Sequence, residues 1–250
     1  SEFNLYQIDR ELTDINSDLL IKSLLVNVTD KAHLFNVFSK VKPDIVFHAA
    51  AYKHVPLVEA NPLSGLANNV FGTQTLAREA AEAGVERFIL ISSDKAVRPT
   101  NVMGASKRMA ELLLQDLATR SSQTIFTMVR FGNVLGSSGS VVPLFQDQIS
   151  RGGPVTVTDA RVKRFFMTTA EAVQLVLQAG AQARGGEVFV LDMGEPVSIL
   201  QLARQVIESA GYTLRDETNP EGDISIAIIG LRPGAKMQDD LTLTNELFTT

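Results

Sequence analysis

Two hydrophobic periods alternate along the first half of the chain, and this alternation limits the fold more than any other feature. Leu5, Ile8 and Leu12 recur at helical spacing, and the compact apolar run from Ile21 to Val28 reads as a buried strand. Thr29 or Asp30 can cap a second helix with the apolar face Leu34, Phe35, Phe38 and Val41, closed by Pro43 before the strand run Ile45-Val46-Phe47. A long helix ending at Gly84, a strand from Phe88 to Ser92, a helix from about Met103 to Thr119 and a strand from Ile125 to Arg130 continue the rhythm. Such repeated helix-to-strand alternation predicts an α/β fold with a parallel, doubly wound sheet of Rossmann type.

After Gly139 the rhythm loosens. A helix near Val142 to Ile149, a strand Val155 to Thr158, a helix Ala170 to Ala179 and a strand Val188 to Leu191 are followed by a helix Ile199 to Ala210 and a last strand Ile224 to Ile229. Interspersed Gly and Pro predict a smaller region over residues 136–250, some of whose elements return to the main sheet formed by residues 1–135.

Composition excludes several functions. The longest apolar runs are strand-sized, short of the ~20 residues of a membrane span. A formal net charge of −5 offers no basic field, so nucleic acid is not an expected partner. With no cysteine, and only His33, His48 and His54 as histidines, neither a thiolate nor a histidine-rich metal site is expected.

Chemistry concentrates where the strand Phe88-Ile89-Leu90-Ile91 ends in Ser92, Ser93, Asp94 and Lys95, because open parallel sheets bind ligands at the carboxyl ends of their strands. Met103 and Lys107 lie four apart at the start of the next helix, so both project from one face toward the same strand ends. Gly132, Gly136 and Gly139, with Asp159 about twenty residues on, imitate a phosphate-binding fingerprint. Pro143 leaves little regular helix after them, which favours a substrate-side loop.

The stretch Asp44-Ile45-Val46-Phe47-His48-Ala49-Ala50-Ala51-Tyr52-Lys53-His54-Val55-Pro56 comes first among segments of high specificity. It is joined by Asn68-Asn69-Val70-Phe71-Gly72-Thr73, Ser93-Asp94-Lys95-Ala96-Val97 and Asn101-Val102-Met103-Gly104-Ala105-Ser106-Lys107. Arg130 to Gly136, Gly139 to Phe145, Arg164-Phe165-Phe166-Met167-Thr168 and Gly230-Leu231-Arg232-Pro233-Gly234 complete the set. On these residues the chain resembles, over nearly its whole length, the extended short-chain dehydrogenase/reductase superfamily. The resemblance is to its polysaccharide-biosynthesis branch, which dehydrates UDP-N-acetylglucosamine at C4 and C6. Most members carry Tyr where this chain has Met103, and the larger membrane-tethered dehydratases resemble it in carrying Met.

The resemblance implies that NAD takes hydride from C4 and returns it to C6. Lys95 would be the base for the C5 proton and Asp94 the acid for the C6 hydroxyl, with Ser93 beside them. Lys95 must then act neutral, a form that burial or the nearby Lys107 favours, and Asp94 must hold a proton, which their adjacency opposes. Met103 has no ionisable proton, so Asp94, directly or through water, is the candidate to take the C4 hydroxyl proton. Lys107 would bind the nicotinamide ribose. Asn27, Val28, Ala49, Ala50, Ala51, Asn69 and Ser92 would serve the cofactor. Lys53, Asn133, Ser140, Val141, Arg164 and Arg232 would serve the UDP-sugar, arginine suiting a diphosphate through its forked donors. Ala235 stands where the family pattern has Glu, which removes a contact to the nucleotide ribose.

Further expectations follow. The family's opening strand and glycine-rich turn do not precede the first helix, so an N-terminally truncated chain with weak or absent NAD binding is expected, together with a cytoplasmic location and membrane attachment only through upstream segments. Helices near 62–83 and 103–119 would pair two copies into a homodimer or larger assembly. The competing readings are a nucleotide-sugar C4 epimerase and an inactive fragment that only binds UDP-sugar or a partner copy.

Overall fold

A computed structural model describes residues 2–121, 123–137, 139–231 and 234–242. Its central sheet has four parallel strands, Ile45–His48, Arg87–Ile91, Ile125–Arg130 and Val188–Val190, in that spatial order. Phe88, Phe126 and Met128 are fully buried on one face, packed with Leu76, Ala77, Ala80, Ala110 and Leu114 from the helices Thr73–Glu82 and Val102–Arg120. Each such large apolar side chain contributes roughly 1.5–3 kcal/mol relative to exposure. The rings of Phe88 and Phe126 tilt at 51° with centroids 5.6 Å apart, which adds to that packing. On the opposite face Ile89 and Val129 meet Ala172, Val176 and Ala179 of the helix Thr169–Gln182. The sheet is therefore covered on both sides, as a doubly wound parallel sheet requires.

A second, smaller core lies between the helices Val141–Ser150 and Ile199–Ser209 and a parallel sheet of Leu214–Arg215, Ile224–Ile228 and Val155–Val157. The chain returns from this region to the central sheet twice. The strand Val188–Val190 pairs with Met128 to Arg130, and the residues after Gly234 cross the loop that follows Lys95.

The structure departs from the sequence reading in one element and adds a local feature to another. Residues 20–28 form no strand, and the backbone bonds there are local, such as Ile21 N–H to the Leu19 carbonyl and Asp30 N–H to the Asn27 carbonyl. Val26 and Val28 pack on the first core, while Leu20 and Leu25 stay exposed. Apolar β-branched character supplies a packing surface, but a strand also needs a neighbour for its ladder, and no described strand lies alongside. The long helix before Gly84 is present over residues 62–82 and carries a π turn within it. Pro62–Leu66 and Thr73–Glu82 flank a π-helical turn, Ala67–Gly72, at the position of Asn69.

Candidate active site

The carboxyl ends of the central strands open on a cavity of about 330 Å³. Ala49, Ala51, Lys53 and His54 come from the turn after the first strand, and Ser92, Ser93 and Lys95 from the turn after the second. Met103 and Lys107 face it from the helix Val102–Arg120, and Phe131, Asn133, Gly139 and Ser140 from the loop after the third strand. The glycines at 132 and 139 thus line the same cavity as Lys95.

Local chemistry fixes the turn 92–96. Ser93 caps a single 3-10 turn, Asp94–Ala96, its hydroxyl accepting from Lys95 N–H at 3.2 Å and donating to Asp94 Oδ1 at 2.7 Å. Lys95 Nζ donates to both Asp94 carboxylate oxygens, at 2.9 and 3.3 Å. Gly104 is required beside it, since a Cβ there would collide with the Lys95 carbonyl oxygen. Burial pushes the Asp94 carboxyl up, but the Lys95 ammonium and the hydrogen bonds outweigh it and hold Asp94 below the ordinary value. The acid role expected of Asp94 needs the opposite direction. Asp94 is 1% exposed and does not line the cavity, so it meets the cavity only through Ser93 and Lys95.

The helix start is fixed by Asn101, whose side chain accepts from Gly104 N–H at 2.8 Å. Met103 is 2% exposed, serving as both core and cavity wall. Lys107 donates to the Ile91 carbonyl at 2.8 Å, leaving two of its N–H groups without an acceptor among the described residues. Burial lowers its pKa to about 8, with Glu111 opposing. His48 is buried against Phe88 with Nε2 2.8 Å from Thr73 Oγ1, and burial, then Lys107, lowers it to about 4, so it is neutral. Asn69 braces the 49–54 turn. It accepts from Tyr52 N–H at 2.8 Å and donates to the Tyr52 carbonyl and Ser106 Oγ at 3.0 and 2.9 Å.

Several expected residues are placed elsewhere. Ser92 touches the cavity, but its hydroxyl turns inward to Glu111 Oε1 at 2.6 Å, because Glu111 is a buried carboxylate shared with Arg130 and Arg108. Asn27 caps its own turn through Thr29, Val28 packs by Gly72, and Ala50 is exposed; none of the three lines the cavity. Val141 packs on the smaller core. Arg164 spends its guanidinium on the carbonyls of Lys163, Lys236 and Met237 and on Asp239. Arg232 lies outside the described residues.

The sequence reading missed the segment after Gly234. Thr100 and Asn101 donate to the Gly234 carbonyl at 2.9 and 3.1 Å, Lys236 donates to the Val97 carbonyl, and Arg98 pairs with Asp240 at 2.9 Å. This strap delivers Asp239, 5% exposed, to the Asp94 carboxyl. No local spacing signals such a contact, because it joins residues more than 140 positions apart.

The sequence model of the family described as polysaccharide biosynthesis protein matches residues 1–250. The chain belongs to this family. Among its relatives is the capsular polysaccharide biosynthesis protein CapD of Staphylococcus aureus, 49% identical over 98% of this chain and 40% of its own length. The chain thus spans about two fifths of that relative. An inverting UDP-N-acetylglucosamine 4,6-dehydratase of Campylobacter jejuni is 32% identical over 96% of the chain and 68% of its own. A UDP-glucose 4-epimerase of Rickettsia rickettsii is 38% identical over 81% and 57%. The solved structure of Pen from Bacillus thuringiensis superposes with a TM-score of 0.87 at 38% identity, covering 98% of this chain and 73% of that one. DesIV, a dTDP-glucose 4,6-dehydratase of Streptomyces venezuelae solved with NAD and TYD bound, gives 0.79 at 21% identity over 94% and 74%, a likeness of fold. The chain therefore shares a Rossmann-type, short-chain dehydrogenase/reductase-like fold with these proteins.

Among the described residues no helix is long and apolar enough to cross a membrane, and no cluster of His, Asp and Glu could hold a metal ion.

Proposed function

We propose that this chain carries the catalytic centre for NAD-dependent 4,6-dehydration of UDP-N-acetylglucosamine to a UDP-4-keto-6-deoxy sugar, within the cytoplasm. One observation carries the reading: Lys95 lines the cavity while bonded to a buried carboxylate, next to Met103 and Lys107 at the carboxyl ends of parallel strands. Epimerisation at C4 needs no acid or base at C5 and C6, whereas dehydration needs both.

The residues present suit the nicotinamide half of NAD. Ala49 and Ala51 keep the wall low, and Lys107 has donors to spare for ribose hydroxyls. Bound NAD would supply a hydride acceptor for C4 and a donor for C6. Once C4 is a ketone the C5 proton is acidic, and Lys95 removes it. Asp94 exchanges protons with the sugar through the Ser93 hydroxyl, 2.7 Å away. Lys53, Asn133 and Ser140, all on the cavity wall, face the UDP-sugar. Exposed Leu63, Phe71, Met109 and Leu112, on the helical segments 62–83 and 103–119, support pairing of two copies through those helices.

The test is to incubate the full-length protein with NAD and UDP-N-acetylglucosamine. A product lighter by one water, with a C4 carbonyl in its NMR spectrum, is expected. Lys95→Ala should abolish it and Met103→Ala reduce it less. A C4 epimer of unchanged mass would overturn the reading.

A further inference from the structure

Asp239 is a buried acid that neither the cavity nor the smaller core explains. Its Oδ2 has no hydrogen-bond partner; Arg164 Nε stands 3.4 Å away, with the other guanidinium nitrogens committed to backbone carbonyls at 2.7 to 3.1 Å. The strap's bonds to Val97, Thr100 and Asn101 bring the buried Asp239 carboxyl to the side of Asp94, whose own oxygens already take Ser93 Oγ and Lys95 Nζ. The charged groups facing Asp239 are therefore Asp94 and Lys95 from the 92–96 turn and Arg164 from the strand Lys163–Arg164. Two carboxylates in contact away from water repel, and one proton between them removes the repulsion.

We propose that Asp94 and Asp239 form a one-proton store for the reaction, loaded and emptied through the Ser93 hydroxyl. This rests on the 4,6-dehydration reading. As hydride leaves C4 the C4 O–H bond breaks, and its proton passes by way of Ser93 to Asp94, where Asp239 shares it. When the C6–O bond breaks, the same proton moves to the departing oxygen, which leaves as water. Lys95 separately takes the C5 proton, exchanges its ammonium hydrogens with solvent, and gives C5 a proton after hydride reaches C6. Two protons leave the sugar; one is replaced at C5 and the other departs on the C6 oxygen, so the net loss is one water. The store answers the problem set by Met103, which cannot take the C4 proton. Asp239 does not touch the cavity and is a positioning residue acting through Asp94. Burial, opposed by Lys95 and reinforced by Asp94, pushes Asp239 up to about 6, which makes a shared proton cheap near neutrality.

The experiment compares wild type, Asp239→Asn and Asp239→Glu in the full-length protein. The store must be empty to accept a proton, so wild-type kcat should fall as pH drops through about 6. Asp239→Asn removes the neighbouring negative charge and makes Asp94 a weaker base. Its acid limb should move to lower pH, and kcat should fall about tenfold, as for roughly one unit in a base's pKa, with KM little changed. Asp239→Glu should restore both. An unshifted acid limb in Asp239→Asn with undiminished kcat would overturn the proposal. Infrared difference spectra of the protonated carboxyl band judge it independently: a carboxyl titrating near pH 6 in wild type and missing in Asp239→Asn supports the store, and its absence in wild type refutes it. Failure of wild type to dehydrate UDP-N-acetylglucosamine would instead remove the functional reading, and the spectra would still decide whether the carboxyls share a proton.

Discussion

Replacing Glu111 by glutamine removes the carboxylate on which Ser92, Arg108 and Arg130 converge beneath the catalytic turn. The Glu111 and Arg130 side chains are both 0% exposed, and two parallel bonds of 2.8 Å join them. Ser92 Oγ adds a bond of 2.6 Å and Arg108 one of 2.9 Å. Burial raises the Glu111 carboxyl, but the Arg130 bonds and charge outweigh it, so glutamine deletes a true negative charge. Breaking a buried ion pair from one side costs about 3–5 kcal/mol, and glutamine also turns an amide N–H toward a guanidinium. For a chain of 250 residues that corresponds to a fall in Tm of roughly 6–20 °C. The assay is thermal and urea unfolding beside a control, Asp116→Asn, whose Arg120 partner is 72% exposed and whose loss should cost under about 1 kcal/mol. A Glu111→Gln protein no less stable than that control would refute the reasoning.

Gly104→Ala should leave a folded protein whose 92–96 turn is displaced, because the new Cβ meets backbone, which cannot rotate away. Turnover should fall at least about tenfold with a Tm change of a few degrees, and unchanged turnover would contradict the packing. His48 gives an acid sensitivity of defined sign. Its folded pKa of about 4 lies below the unfolded value of 6.5, so the unfolded state binds the extra proton and stability falls as pH drops from 6.5 toward 4. Full loss amounts to roughly 3 kcal/mol, and urea midpoints at pH 7 and 5 should converge in part in His48→Gln.

The alternation of periods made the central sheet readable because each strand and helix carries its own apolar pattern. The Ser93-Asp94-Lys95 turn was readable for a related reason, since it directly follows a strand as regular as Phe88 to Ile91. What escaped depends on partners distant in sequence. The run 21–28 has strand composition without a described strand to pair with, and the π turn that holds Asn69, bonded to Tyr52 and Ser106, has no local sequence signal. Arg164 looks like a diphosphate ligand until the strap is seen to occupy it. Ser92 and Ser93 are neighbours of one type, yet one hydroxyl belongs to Glu111 and the other to Asp94.

The central claim is that Lys95 and its carboxylate partners move protons at C5 and C6 of a nucleotide sugar. Turnover of UDP-N-acetylglucosamine in deuterium oxide tests it most directly. The account predicts a 4-keto-6-deoxy product carrying deuterium at C5, and no such product from Lys95→Ala. A product with hydrogen retained at C5, or a C4 epimer without deuterium, would contradict it.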